Sequence, residues 1–329
     1  MNWLLDAYRS GNLVVIWVNE DGRNRRIEKT VRPSIHLDGT PLALEFLRKY
    51  NIDFILEDKK TYRELKKVYS IRAPVHGFER FVKWIEIETR HRVALYNADV
   101  KPEIGYLIRN KLSLCSPVIL DGEKVLPLAN PSGRLPELMV MEIIVFGHKG
   151  PIRKLRVDGI EIAGEENEIL ERFARLFCQR DPDVIVMDYA YSALPYLVSR
   201  LEVCGIAVPF HRWDLMSIKY REGKTQYSYG QVRYQDQAIR LHGRFLVDNS
   251  TMTGSHAGVE GIMELCQLCG IPFQTAASRS FGASFQYSLM RKMAEQGMLI
   301  PYKQKPIGPP MSLLDMVKAD RSGHTLDPL

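Results

Sequence analysis

Cysteine is scarce in this chain. It occurs five times in 329 residues, and the odd number and irregular spacing give no disulfide framework. Such a sparse set is typical of a reducing compartment and excludes a small disulfide-stapled scaffold. Cys266 and Cys269 have the spacing of half a zinc site, but no second pair accompanies them and leucines flank them on an apolar helix. We therefore expect these two thiols to pack in a core.

Long apolar runs are missing as well. No stretch of about 18 uncharged apolar residues occurs, which excludes a membrane-spanning helix of ordinary length. The first residues lack a basic region followed by an apolar one, so we expect a cytoplasmic protein rather than a secreted one. The chain also contains no glycine-rich phosphate loop and no nucleophile elbow, which argues against P-loop and α/β-hydrolase chemistry.

The composition itself is that of a globular protein, with 45% hydrophobic and 26% charged residues. A chain of 329 residues exceeds one ordinary core, so two domains are predicted. The net charge of +6 is compatible with a phosphate-bearing partner, because lysine and arginine displace condensed counterions when they bind nucleic acid.

The first 133 residues predict a small α+β domain. An apolar run at 13–18 has the length of a strand, and Thr40 followed by Pro41 has the pattern of a helix start. Further short helices are predicted at 61–67 and 78–85. A segment with two prolines and a glycine, 130–136, is the predicted linker to a second domain.

The second part of the chain predicts an α/β domain. A buried strand at 138–146, a helix at 165–179, a second strand at 184–187 and a helix at 193–204 follow one another. Alternating residues at 216–247 then predict hairpin strands, followed by a strand at 243–248 and helices at 259–269 and 281–296. The tail from 301 to 329 has little periodicity and is predicted to be a connector.

Several blocks of this sequence occur in the order found in one polymerase family. They lie at 99–102, 105–108, 181–186, 195–197, 204–206, 243–248, 278–280, 289–292 and 299–301. In that order they resemble archaeal family B DNA polymerases, over about 135–305 and more loosely over the first hundred residues. The resemblance implies an amino-terminal domain at 1–133, a degenerate ribonuclease-H-like 3′–5′ exonuclease domain at 134–300, and a connector at 301–329 towards an absent palm domain.

The resemblance also implies a nuclease centre of about four carboxylates holding two divalent metals. The first motif falls on Glu142 and Ile144, the second places Ala193 where an aspartate is expected, and the third does not occur after any of the 15 tyrosines. We therefore expect no catalytic residue, metal or cofactor in this chain, with Mg²⁺ required only by an attached polymerase domain. Glu142, Asp188 and Asp248 can be read either as surviving ligands or as ordinary turn and strand-end residues.

Basic and aromatic residues alternate on the predicted hairpin strands. Nucleic-acid contacts are predicted for Arg233, Tyr234, Arg240, Arg244 and Arg279, with tyrosine stacking on a base. A solvated sheet face is the alternative explanation for the same alternation. Separately, Tyr8 and Pro33 fall where related polymerases line a pocket for a template base, so the resemblance implies a similar pocket here.

These observations predict the amino-terminal and inactivated exonuclease region of a family B polymerase, which binds DNA and supports template handling in replication or repair. The predicted partners are single-stranded or primer–template DNA and the palm, fingers and thumb domains of the same polymerase. Palm-domain aspartate motifs do not occur, so this chain alone is not expected to polymerise DNA. Two alternatives stay open, a stand-alone DNA-binding or replisome-docking protein and an active nuclease with substituted ligands.

Overall fold

The computed structural model describes residues 1–128, 134–213, 220–221, 224–228, 231–235, 238–279 and 281–302. Contacts group them into two compact units. The first contains Met1–Pro33, Ala73–Phe78 and Val100–Met298, and the second contains Ser34–Arg72, Glu79–Asp99 and the residues from Leu299 onward. The boundaries predicted at 133/134 and 300/301 stay predictions, and most of the predicted linker lies outside the described residues.

Short strands and helices alternate through the first 127 residues. In chain order they are β1 Asn2–Ser10, β2 Leu13–Glu20, β3 Arg23–Thr30, β4 Ser34–Asp38, α1 Pro41–Lys49, β5 Phe54–Lys60, β6 Leu65–Arg72, α2 Phe78–Glu88, β7 Leu95–Tyr96, α3 Pro102–Arg109, β8 Ser116–Asp121 and β9 Lys124–Pro127. The first unit contains an antiparallel sheet in the order β3-β2-β1-β8-β9, and the second contains a sheet in the order β5-β6-β4-β7.

The predicted strand at 13–18 and the predicted helix starting at Thr40 are both confirmed. The Thr40 side chain accepts a hydrogen bond from the Ala43 amide, which satisfies one of the unpaired donors of the first turn of α1. The helix predicted at 61–67 is wrong. The Thr61 hydroxyl bonds both to the Glu64 amide and to its carbonyl, and the resulting turn joins β5 to β6 as an antiparallel hairpin.

The rest of the chain alternates strands with longer helices. The elements are β10 Val140–Val145, β11 Lys154–Val157, β12 Ile160–Ala163, α4 Glu166–Arg180, β13 Val184–Met187, α5 Ala190–Val203, β14 Tyr220–Arg221, β15 Lys224–Ser228, β16 Gln231–Gln235, β17 Ala238–Ile239, β18 Phe245–Asp248, α6 Met252–Cys269, α7 Phe273–Ala277 and α8 Phe281–Glu295. The main sheet has the order β12-β11-β10-β13-β18, in which β10, β13 and β18 are parallel. The predicted α/β class is confirmed.

Two apolar cores cover the two faces of this sheet. The first core joins the sheet of β1–β3 to one face of β13 and β18 and to α6 and α7. Trp17 on β2 lies 4.6 Å from the ring of Phe245 on β18, and Phe245 stacks on Phe273 of α7 at 4.1 Å. The second core lies between the opposite face and helices α4 and α5. The sheet of β1–β3 is therefore packed directly against the main sheet.

Candidate nucleic-acid interface

The predicted nuclease site falls on the parallel strands of the main sheet. Parallel pairing aligns Glu142 with Val186 and aligns Met187 with Asp248. Because neighbouring strand residues point to opposite faces, Glu142 and Ile144 share the face of the first core, whereas Asp248 and Met187 share the face of the second core. Glu142 is exposed and Asp248 is buried. The two carboxylates therefore do not converge on one metal position.

Two other predicted positions, Ala193 and Asp248, are buried. Ala193 is buried in the second core, with 3% of its surface exposed. Asp248 accepts hydrogen bonds from the Ser250 amide at 2.9 Å and from its hydroxyl, which fixes the turn after β18. Within the described residues, no three histidine, cysteine, aspartate or glutamate side chains are grouped closely enough to hold a metal ion. The expected absence of a metal centre from this chain stays a prediction.

Arg244 is buried, with 3% of its surface exposed. Its guanidinium donates to the Asp181 carboxylate at 2.6 Å and to the Pro182 carbonyl. Arg212 donates to Asp181 and, at 2.5 Å, to Asp183. Burial alone would raise the pKa of Asp181, but hydrogen bonds from Arg244 and Arg212 outweigh it and lower that pKa. The contact predicted for Arg244 stays a prediction and requires this network to open.

The close contact between Arg212 and Gly243 helps to form the network of Arg212, Arg244 and Asp181. Gly243 has a φ of +82°, and a β-carbon there would lie 2.8 Å from the Arg212 β-carbon. Glycine at this position therefore allows Arg212 to donate to the Gly243 carbonyl at 3.2 Å while it holds the carboxylates.

The other predicted contacts lie on different elements. In the β15–β16 hairpin, Arg233 pairs with Gln226 and Tyr234 pairs with Thr225, while their side chains lie outside the described part of the chain. Arg279 follows α7, and its guanidinium lies 5.8 Å from the centre of the Tyr287 ring. The nucleic-acid contacts of Arg233, Tyr234 and Arg279 stay predictions.

Tyr8 and Pro33, predicted to line a template-base pocket, are both buried. The Tyr8 hydroxyl accepts a hydrogen bond from the Trp213 indole at 2.7 Å, and the His242 ring meets the tyrosine ring edge to face at 5.0 Å. The Arg240 guanidinium lies over the same ring at 5.3 Å. A base would have to displace some of these contacts to reach Tyr8, so the template-base pocket stays a prediction.

A buried carboxylate lies on the same strand as Tyr8. Asp6 follows an irregularity in the β1–β2 register and is only 7% exposed. Burial raises its pKa to about 6, although the positive charge of Arg240 opposes this. Burial of the ionised Asp6 carboxylate therefore lowers the stability of the folded protein.

A cleft of about 530 Å³ opens beside these residues, entirely within the first unit. Three cationic side chains line it, those of Arg9, Lys101 and Arg240, together with the carboxylate of Glu103. The Arg9 guanidinium lies 3.0 Å from that carboxylate. With the histidines neutral, the lining has a formal charge of +2. The remaining lining residues are Ser10, Gly11, Val75, His76, Gly77, His211 and His242.

Our sequence interpretation predicted Arg240 as a contact but not Arg9 or Lys101. Arg9 lies on β1, Lys101 directly precedes α3, and Arg240 directly follows β17. More than 90 residues separate Arg9 from Lys101 along the chain. No local spacing connects them, so only the three-dimensional arrangement reveals the charged cleft.

Comparison with known proteins places this arrangement in context. No family model matches the chain. A DNA polymerase of Pyrococcus glycovorans is 38% identical over 61 residues, which is 18% of this chain and 8% of that protein. The structure of the family B DNA polymerase from the hyperthermophilic archaeon Pyrobaculum calidifontis superposes with a TM-score of 0.66 and 17% identity, and the alignment covers 94% of this chain and 52% of that one.

This chain has the fold of the amino-terminal and exonuclease region of a family B DNA polymerase. The predicted resemblance to the archaeal enzymes is confirmed at the level of the fold. The chain spans about half the length of the polymerase structure that it resembles. No helix among the described residues is both long and apolar enough to cross a membrane.

Proposed function

We propose that this chain is the amino-terminal and inactivated exonuclease region of a DNA-directed DNA polymerase, and that it binds DNA and supports template handling in replication or repair. The observation that supports the proposal is the polymerase-like fold, together with the residues that occupy the predicted nuclease positions. Glu142 and Asp248 lie on opposite faces of the sheet, and the two other positions carry Ile144 and Ala193.

The proposed partners are DNA, single-stranded or in a primer–template, and the palm, fingers and thumb domains of the same polymerase. Mg²⁺ would be needed by that polymerase domain and not by this chain, and the protein would act in the cytoplasm. The net charge of +6 supports a nucleic-acid partner, because each phosphate contact by lysine or arginine releases counterions.

Fluorescence anisotropy of a labelled oligothymidine tests this proposal. With about three phosphate contacts, the logarithm of the affinity should fall with the logarithm of the salt concentration at a slope near −2. The alternative of a replisome-docking protein without DNA contacts predicts no binding even at low salt. The alternative of an active nuclease predicts metal-dependent shortening of the same oligonucleotide.

A further inference from the structure

We propose that the cleft between Arg9, Lys101 and Arg240 binds the phosphate group of a nucleotide. Its volume of about 530 Å³ lies within the range of small-molecule sites, which is about 300 to 1,000 Å³. Three cations and one carboxylate line the cleft, so an anion is the ligand that its charge favours. Two of the three cations are arginines, whose planar guanidinium groups match the geometry of phosphate.

The surroundings of Arg240 hold it at the cleft. Its guanidinium lies 5.3 Å from the centre of the Tyr8 ring, and that ring is fixed by Trp213 and His242. A cation placed over a buried aromatic ring loses little further side-chain freedom when a ligand binds. Arg240 is therefore oriented before the ligand arrives.

One lining histidine is fixed by the backbone. His211 accepts a hydrogen bond at Nδ1 from the backbone amide of His242 at 2.8 Å. This bond holds the His211 ring in the wall of the cleft, so that part of the wall is ordered before a ligand binds.

The choice of phosphate over a carboxylate rests on the proposed function, because DNA is built of phosphates. Two sources share this chemistry, namely a free nucleotide and the backbone of a single strand. Calorimetric titration with dTMP and with thymidine distinguishes recognition of the phosphate from recognition of the base. Anisotropy of labelled oligothymidine tests the strand.

Three variants separate the cleft from general surface charge. Arg240→Gln and Lys101→Gln each remove one lining cation, and the second keeps the test valid if the first fails to fold. Arg175→Gln removes one exposed cation on α4, outside the cleft, and is the matched control. The loss of a charge-assisted hydrogen bond should weaken dTMP binding about tenfold in each cleft variant, with no change in the control.

Four outcomes decide the inference. Saturable dTMP binding that thymidine does not reproduce and that both cleft variants weaken supports a free-nucleotide source. Without dTMP binding, a salt slope on oligothymidine that is reduced by about 0.7 in the cleft variants alone supports the strand source. Equal binding of thymidine and dTMP would overturn phosphate recognition. DNA binding that cleft and control variants change equally, without dTMP binding, would overturn the cleft and leave the proposed function standing.

Discussion

Replacing Asp6 by asparagine should stabilise the protein at neutral pH. The carboxylate is buried on β1, and its Oδ1 atom has no hydrogen-bond partner among the described residues. Asparagine has nearly the same shape and carries no charge at any pH. The variant therefore removes the cost of burying an ionised group while it preserves the packing of the first core.

The size of the effect follows from the raised pKa of Asp6. A shift from 3.8 to about 6 corresponds to about 3 kcal/mol, at 1.36 kcal/mol per unit. The pKa of Asp6 is raised in the folded state, so folding favours the protonated carboxyl group. Its contribution to the free energy of unfolding is fully present below pH 3.8 and is lost as the pH rises through about 6. The advantage of asparagine should thus be about 1.6 kcal/mol at pH 5 and about 3 kcal/mol at pH 8.

Urea unfolding at pH 5 and pH 8, followed by tryptophan fluorescence, measures this difference. Three of the four tryptophans, Trp3, Trp17 and Trp213, belong to the first unit, so the signal reports mainly on the core that contains β1. Asp53→Asn, at an exposed position of the second unit, is the control and should change stability by less than about 0.5 kcal/mol at either pH. A gain from Asp6→Asn that is the same at both pH values, or a loss at pH 8, would refute the linkage argument.

Three further results are expected. The purified chain should not shorten single-stranded DNA with Mg²⁺ or Mn²⁺, and digestion that is abolished by Glu142→Gln would contradict the assignment of a degenerate site. Tyr234→Ala should weaken oligothymidine binding by about 1 to 3 kcal/mol with an unchanged salt slope, since stacking releases no counterions, and a changed slope would argue against stacking. Arg244→Met should lower the free energy of unfolding by about 1.5 to 3 kcal/mol at neutral pH, because it removes charge-assisted hydrogen bonds to Asp181 and to the Pro182 carbonyl. The pKa of Asp181 is lowered in the folded state, so its stabilising contribution is present above pH 3.8 and lost in more acidic solution, where thermal melting should show a smaller difference between Arg244→Met and the parent protein.

Local signals in the sequence predicted most of the elements correctly. The apolar run of β2 and the capped start of α1 depend on neighbouring residues, and both appear as expected. The wrong prediction of a helix at 61–67 has a physical cause. The Thr61 side chain closes a turn, and β6 pairs with β5, which residue propensities do not predict. The partner strand β5 lies outside the predicted segment, so the residues at 61–67 alone do not encode the pairing.

The candidate site was less accessible to sequence reasoning. Arg244 alternates with other basic residues on a predicted strand. This pattern is the same whether the arginine faces solvent or is buried and bonded to Asp181. The distinction depends on Asp181 lying at the end of α4, 63 residues earlier. Likewise, Arg9 and Lys101 line the same cleft only when the amino-terminal sheet is packed against the rest of the first unit.

The shared first core has a consequence for how such a sequence changes over generations. Exchanging the nuclease carboxylates alters the chemistry at one sheet and leaves the packing of Trp17 on Phe245 and of Phe245 on Phe273 intact. Deleting the whole exonuclease-like part would instead expose the inner face of the amino-terminal sheet to water. Retaining a stable amino-terminal sheet therefore also requires retaining its neighbour, whether or not that neighbour cuts DNA.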